Sequence, residues 1–304
     1  MSIALLLAPL LLAQATDNID GPMVSSGAAP SLNLPEIDRP NGPNRRTQSI
    51  APVSPTLPPT PEGNRLSSCL AQAGSDADSA LDRADAWLKA EKGPARAAPG
   101  MCLGTAYATL EQWIPAQEAF TAARDAADPT DHRMRATLGT MAGNAALAGG
   151  SPVGALVVLD VAKTDATALH DNVLLGGIAV DRARALVMLQ RPADAASALA
   201  EARTATPEDG ATWLLSATLS RRMGQLAEAQ AEIENAAKFA PTDPQVGLEA
   251  GVIAQLAGHT DAARHSWQSV VTADPDGAAG RAASNYLAEI ANPAVAGPIA
   301  HTGH

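Results

Sequence analysis

Six histidines, His132, His170, His259, His265, His301 and His304, are the side chains best suited to move a proton or bind a metal near neutral pH. None stands in H-E-x-x-H, and none pairs with a cysteine at zinc-finger spacing. His259 and His265 are six residues apart and fall on different faces of a helix. Gly149-Gly150-Ser151-Pro152-Val153-Gly154 is glycine-rich but lacks the lysine and the preceding strand of a phosphate-binding loop. It reads as a turn between helices. No G-x-S-x-G is present to make a nucleophile elbow. The carboxylate pairs Asp160/Asp165 and Glu232/Glu234 read as solvated faces. Cys69 and Cys102 are the only cysteines and form no C-x-x-C. The chemistry-bearing residues therefore do not add up to a catalytic centre, and no metal or cofactor is expected.

The elements that position these residues follow from composition. The chain has 304 residues, with 21 Lys+Arg against 32 Asp+Glu and a net charge of −11. That balance argues against a nucleic-acid partner, which needs clustered cations to neutralise phosphates. Sixty-seven residues are alanine and only 3% are aromatic. Alanine is the best helix former and a poor strand residue, so closely packed helices are expected and a β-sandwich or barrel is not. No apolar run approaches the ~18 residues of an integral membrane span.

Residues 1–15, MSIALLLAPLLLAQA, carry an 11-residue apolar run from Ile3 to Ala13 and end in Ala13-Gln14-Ala15. This is the shape of a signal peptide cleaved after Ala15, although Met1-Ser2 supplies no basic side chain. Residues 16–64 hold ten prolines and no aromatic residue. Such a segment buries too little apolar surface to offset its ordering entropy, so a disordered Pro-rich tail is expected, with polyproline II around Pro55 to Pro61. Pro55 and Pro58 make a P-x-x-P match. Residues 292–304 are expected to form a second disordered tail.

All eight aromatic residues lie after residue 86, and the folded region is placed at 65–291. It contains a repeat. Trp213, Ala217, Gly224, Leu226, Ala229, Ile233, Ala236 and Pro241 are followed 34 residues later by Gly251, Gly258, Ala263, Trp267, Val270 and Pro275. This pattern resembles the tetratricopeptide repeat, a helix–turn–helix with small residues at its eighth, twentieth and twenty-seventh positions. The template extends backwards. The eighth position is Gly104, Gly143, Ala183, Ala217 and Gly251. The twentieth is Ala116, Ala155, Ala195, Ala229 and Ala263. The twenty-fourth is bulky throughout: Phe120, Leu159, Leu199, Ile233 and Trp267. The spacings are 39, 40, 34 and 34, with the extra residues near Thr130–Arg135 and Thr164–Asn172. The aromatic of the fourth position survives only as Trp213, and no tyrosine is counted at the eleventh. The resemblance implies an all-α solenoid of about five to six tetratricopeptide repeats, with an irregular first pair from Arg65 to Ala90 and a capping helix from Gly277 to Ala291.

In this register Cys69 and Cys102 lie on the first helices of neighbouring repeats, which pack about 8–10 Å apart. A disulfide and a pair of buried thiols are the two readings; an exported chain favours the disulfide. The resemblance further implies a concave groove lined by first helices. Its second, fifth, ninth, twelfth and thirteenth positions would face a bound peptide, and they include Asn144, Arg184, Thr218, Arg221, Arg222, Gln245 and Gln255, with Asp181 close by. Three arginines in one channel of an acidic protein suit an acidic partner segment; their other reading is solvated charge paired with Glu201 or Glu228. The sequence thus points to a non-catalytic scaffold or adaptor in the bacterial periplasm or envelope, binding a protein or peptide. The alternatives are a self-assembling structural repeat protein and a regulatory accessory of an envelope enzyme. Oligomeric state is left open.

Overall fold

The computed structural model describes residues 61–291. The expected signal peptide, nearly all of the Pro-rich segment and the C-terminal tail lie outside the described residues. Thirteen α-helices follow one another: α1 Pro61–Ser75, α2 Ala77–Ala90, α3 Ala97–Thr109, α4 Trp113–Ala126, α5 His132–Ala148, α6 Pro152–Leu169, α7 Asn172–Met188, α8 Pro192–Ala205, α9 Gly210–Arg222, α10 Leu226–Phe239, α11 Pro244–Leu256, α12 Thr260–Ala273 and α13 Ala278–Ala291. A 3₁₀ turn, Gly93–Arg96, precedes α3. There is no strand among the described residues. Consecutive helices form six pairs, and α13 packs on the last. First helices also approach first helices of the next pair, α1 with α3, α5 with α7 and α9 with α11. The described chain is an all-α solenoid of tetratricopeptide type.

Helix α1 opens at Pro61, four residues before the expected boundary. Proline at the first helical position costs little, because its missing N–H would be unpaired there and its φ is already helical. The second helix of this pair, expected over Ser75 to Ala90, starts at Ala77, and Asp76 caps it by accepting from the Ser79 N–H.

The register predicted from small and bulky residues is the packing register. The five alanines of the twentieth position are wholly buried, and the five bulky residues of the twenty-fourth are buried too. The two sets interlock with the eighth position. A β-carbon on Gly104 would come within 2.9 Å of three Phe120 ring atoms, and one on Gly143 within 2.6 Å of two Leu159 side-chain carbons. Glycine is required there because the facing side chain fills the space a methyl group would take. One match escapes the sequence reading: Tyr107 occupies the eleventh place of the α3–α4 pair.

Each of the pairs from α3 to α12 turns through three residues, and the middle one always has positive φ: Glu111, Gly150, Gln190, Gly224 and Gly258. The next N–H returns to the carbonyl five residues back, as in Gln112 to Tyr107 and His259 to Ala254. This is the Schellman closure, which satisfies carbonyls left open at a helix end. The first helices α5, α7, α9 and α11 start on Asp131, Asp171, Asp209 and Asp243, whose carboxylates accept backbone N–H bonds. The extra residues of the two longer spacings become helix. α5 and α7 have 17 residues and α6 has 18, against 13 to 15 in the corresponding helices of the other pairs.

Candidate functional site

Helices α3, α5, α7, α9 and α11 carry the register positions assigned to the groove. Their thirteenth places form a row: Thr109, Ala148, Met188 and Arg222 are exposed, and Leu256 is half-buried. Met188 is one of only five large apolar side chains that are exposed among the described residues. It was not singled out by the sequence reading, although it stands one repeat before Arg222.

The arginines are tied down by carboxylates other than those expected. Arg184 donates from Nη1 to Asp181 Oδ1 at 2.8 Å, within α7. Arg221 of α9 donates from Nε to Glu249 Oε1 at 2.6 Å and from Nη2 to Oε2 at 3.4 Å, reaching across to α11. Glu201, one of the expected partners, instead accepts from Lys163 and Arg182 on α6 and α7. The reason is distance along the solenoid: Glu249 sits at the sixth place of the next first helix, directly beside Arg221, while Glu201 is on a second helix. Although Arg222 is exposed as a residue, partial desolvation of its guanidinium is the main cause that holds it below the usual arginine range, followed by the adjacent Arg221 charge; Glu249 acts in the opposite sense. Asn144 and Gln245 are half-buried on the first-helix face. Gln255 is half-buried too, and its Oε1 is a buried acceptor without a hydrogen-bond partner among the described residues. Thr218 and Asp181 are only 4% and 6% exposed, so they lie under the surface rather than on it.

Two polar clusters lie between pairs. Asp165 Oδ1 meets His132 Nδ1 at 2.8 Å and accepts from Arg135 Nε at 3.2 Å, and Arg135 also donates to the Arg124 carbonyl. This joins α4, α5 and α6. A carboxylate-held imidazole can relay a proton, but its hydrogen-bond partners here include no hydroxyl or thiol among the described residues. In the second cluster Glu232 of α10 accepts from Ser220 Oγ at 2.6 Å and from Arg203 of α8. Arg203 also lies over the Trp213 ring. Burial pushes the Glu232 carboxyl above the usual range, against the pull of Ser220 and Arg203. Both clusters join neighbouring helices. Among the described residues no three His, Cys, Asp or Glu side chains gather to hold a metal, and no helix is long and apolar enough to cross a membrane.

Cys69 of α1 and Cys102 of α3 are fully buried with sulfurs at bonding distance and Cα atoms 6.0 Å apart. Trp87 packs over them, with Ala84 and Ala98.

No known family's profile matches the chain, and no curated protein matches it. Solved structures do. The chain is similar to PilW, a widely conserved type IV pilus biogenesis factor, at 16% identity and a TM-score of 0.58, over 76% of this chain and 98% of that one. It is similar to pilF of Pseudomonas aeruginosa at 14% identity and a TM-score of 0.57, over 76% and 100% of the two chains. BtubC from P. vanneervenii is similar at 14% identity and a TM-score of 0.57, over 77% and 96%. At such identities the likeness is one of fold.

Proposed function

We propose that the protein is a non-catalytic interaction scaffold that holds an extended or helical segment of a partner protein along the face of its first helices. The observation that carries this reading is the exposed row at the thirteenth position of successive first helices, ending in Met188 and Arg222. Stacked pairs repeat the same place at a regular step, which suits a segment running across several repeats. Met188 offers a flexible apolar contact. Arg221 and Arg222 offer guanidiniums to a carboxylate of the segment, in competition with Glu249. The apolar run and small-residue site in residues 1–15 support export, so the partner is sought in the periplasm or envelope.

The test is crosslinking co-purification from the cell envelope with wild type and a Met188→Asp/Arg222→Ala variant. Both side chains are exposed, and circular dichroism of the variant checks that its helix content is kept. A discrete partner captured by wild type and lost in the variant supports the reading. The same partner held equally by both chains overturns the groove assignment.

A further inference from the structure

Two of the gaps between neighbouring second helices are closed by an ion pair. Lys163 of α6 donates to Glu201 of α8 at 2.6 Å, and Arg203 of α8 meets Glu232 of α10. The gap between α2 and α4 is built differently. In the repeat register Ala122 stands at the place of Glu201, and Ala119 at the place of Glu232. A cation is present there all the same. Arg96, which leads into α3, lines this gap, and its guanidinium has no hydrogen bond or ion pair among the described residues.

The missing side chains leave a trough of about 540 Å³. That volume falls within the ~300–1,000 Å³ of small-ligand sites. Leu88 of α2, Leu103 and Tyr107 of α3 and the alanines of α4 line it. One pair further on, the places of Ala119 and Ala122 hold Val158 and Val161, and Val158 packs against the core of α3, α4 and α5. The floor is closed, since a β-carbon on Gly100 would stand 2.7 Å from Ala123 Cβ.

The lining selects a ligand. Its polar side chains are Arg96, Glu118 and Tyr107, and no Ser, Thr, Asn or Gln is among them. A peptide laid there would bury amides without partners, which is costly. An aliphatic chain has none to satisfy. Arg96 favours an anion, and a carboxylate fits its planar fork. The two ends of the trough differ in charge. α3 and α4 run antiparallel with Gly100 against Ala123, so Arg96, one turn earlier, lies toward Ala126. Glu118 is eight residues before Ala126, about 12 Å back along α4. It repels a carboxylate from its own end, so the charged head goes to Arg96 and the tail toward Tyr107 and Pro115. The run from Ala126 back to Pro115 is about 16 Å. At roughly 1.3 Å of advance per carbon, for bonds of ~1.5 Å, it holds a chain of about ten carbons.

We propose that the α2–α4 trough binds a medium-chain aliphatic carboxylate, with its carboxylate on Arg96 and its tail along the alanines of α4. The site is separate from the residues of the first-helix row. It goes beyond the scaffold reading and does not depend on it.

The test is isothermal titration calorimetry of the full chain with octanoate, decanoate and 1-decanol, each below its micellar or solubility limit. The expected result is one site per chain, with decanoate bound about four- to fifteenfold more tightly than octanoate, from the two added methylenes. Decanol binds more weakly than decanoate. Arg96→Gln lowers the decanoate affinity about tenfold and leaves decanol unchanged. Ala122→Glu supplies the carboxylate that Glu201 provides between α6 and α8, and abolishes decanoate binding. Both positions are exposed, and circular dichroism melts check that the variants stay folded. Decanoate slows hydrogen exchange within residues 88–126 and not in α9 to α12. No saturable decanoate site, decanol bound as tightly as decanoate, binding untouched by either variant, or protection confined to α9–α12 overturns the proposal. Tighter binding of acetyl-Ala-Leu-Leu with a free carboxylate also overturns it, and assigns the trough to a protein C-terminus.

Discussion

A β-carbon placed on Gly251 would stand within 2.6 Å of three ring atoms of Trp267. The indole fills the gap between α11 and α12, and its Nε1 donates to the Leu248 carbonyl at 3.2 Å. Where the eighth position is alanine, at 183 and 217, the facing residue is the smaller Leu199 or Ile233. The two positions thus trade volume in four of the five pairs; Gly143, which faces Leu159, departs from the rule. Gly251→Ala alone should destabilise the protein by about 1–3 kcal/mol through overpacking. Gly251→Ala with Trp267→Leu copies the neighbouring pairs and should cost less than the sum of the two single changes. Chemical denaturation of the four proteins checks this; strict additivity would show that the two sites do not share a space.

This reciprocity explains why so much of the fold was legible. A glycine against a tryptophan and an alanine against an isoleucine are chemical matches visible in the residue types, and with the buried alanines of the twentieth position they mark the register. Partners across pairs were less legible. Arg221 meets Glu249 because two first helices lie side by side, and no local pattern marks that distance. The aspartate caps could have been found: Asp131, Asp171, Asp209 and Asp243 recur just before the first helices. The extra residues placed near Thr130–Arg135 and Thr164–Asn172 mostly lengthen helices by a turn, because alanine-rich sequence continues a helix as readily as it ends one.

Gln190 makes the α7–α8 turn with φ of 57°, where the two later turns have Gly224 and Gly258. A side chain in this left-handed conformation is disfavoured, while glycine loses more freedom on folding, so Gln190→Gly should stabilise by about 0.5–1 kcal/mol net. A rise in the denaturation midpoint is the expected outcome. A fall would mean that the Gln190 side chain makes a contact outweighing its backbone strain.

The Cys69–Cys102 link closes a sequence separation of 33 residues between α1 and α3. On the chain-entropy account it stabilises by roughly 3–4 kcal/mol. Reduction should therefore loosen α1 to α4 first. Hydrogen exchange with and without reductant would show faster exchange there and little change from α9 onwards. Two free thiols titrating in the untreated, denatured protein would instead establish that the bond does not form.

Glu232 gives a pH prediction. Its folded carboxyl titrates above the ordinary range because it is buried. Between the unfolded and folded values the native state binds more protons than the unfolded one, so this group's contribution to stability falls as pH rises through that window. Glu232→Gln removes the titration and keeps the shape. The difference in stability, wild type minus variant, should therefore decline from pH 4.5 upwards and then level off. A difference that grows with pH would mean that Arg203 and Ser220 outweigh the cost of burial.

Arg221 and Glu249 separate stability from binding most sharply. Their side chains are 20% and 14% exposed, and the contact is two-pronged. Neutralising the carboxylate with Glu249→Gln leaves two adjacent guanidiniums without its charge and should cost about 1–3 kcal/mol of stability. On binding the sign reverses. If an acidic segment docks on this face, Glu249 competes with it for Arg221, and the variant should bind a glutamate-containing partner peptide more tightly than wild type does. Lower stability with tighter binding is the combined signature of a site whose cations are held in reserve by an internal carboxylate. Lower stability with weaker binding would place Glu249 among the contacts to the partner and assign that partner a basic or hydrogen-bond-donating segment instead.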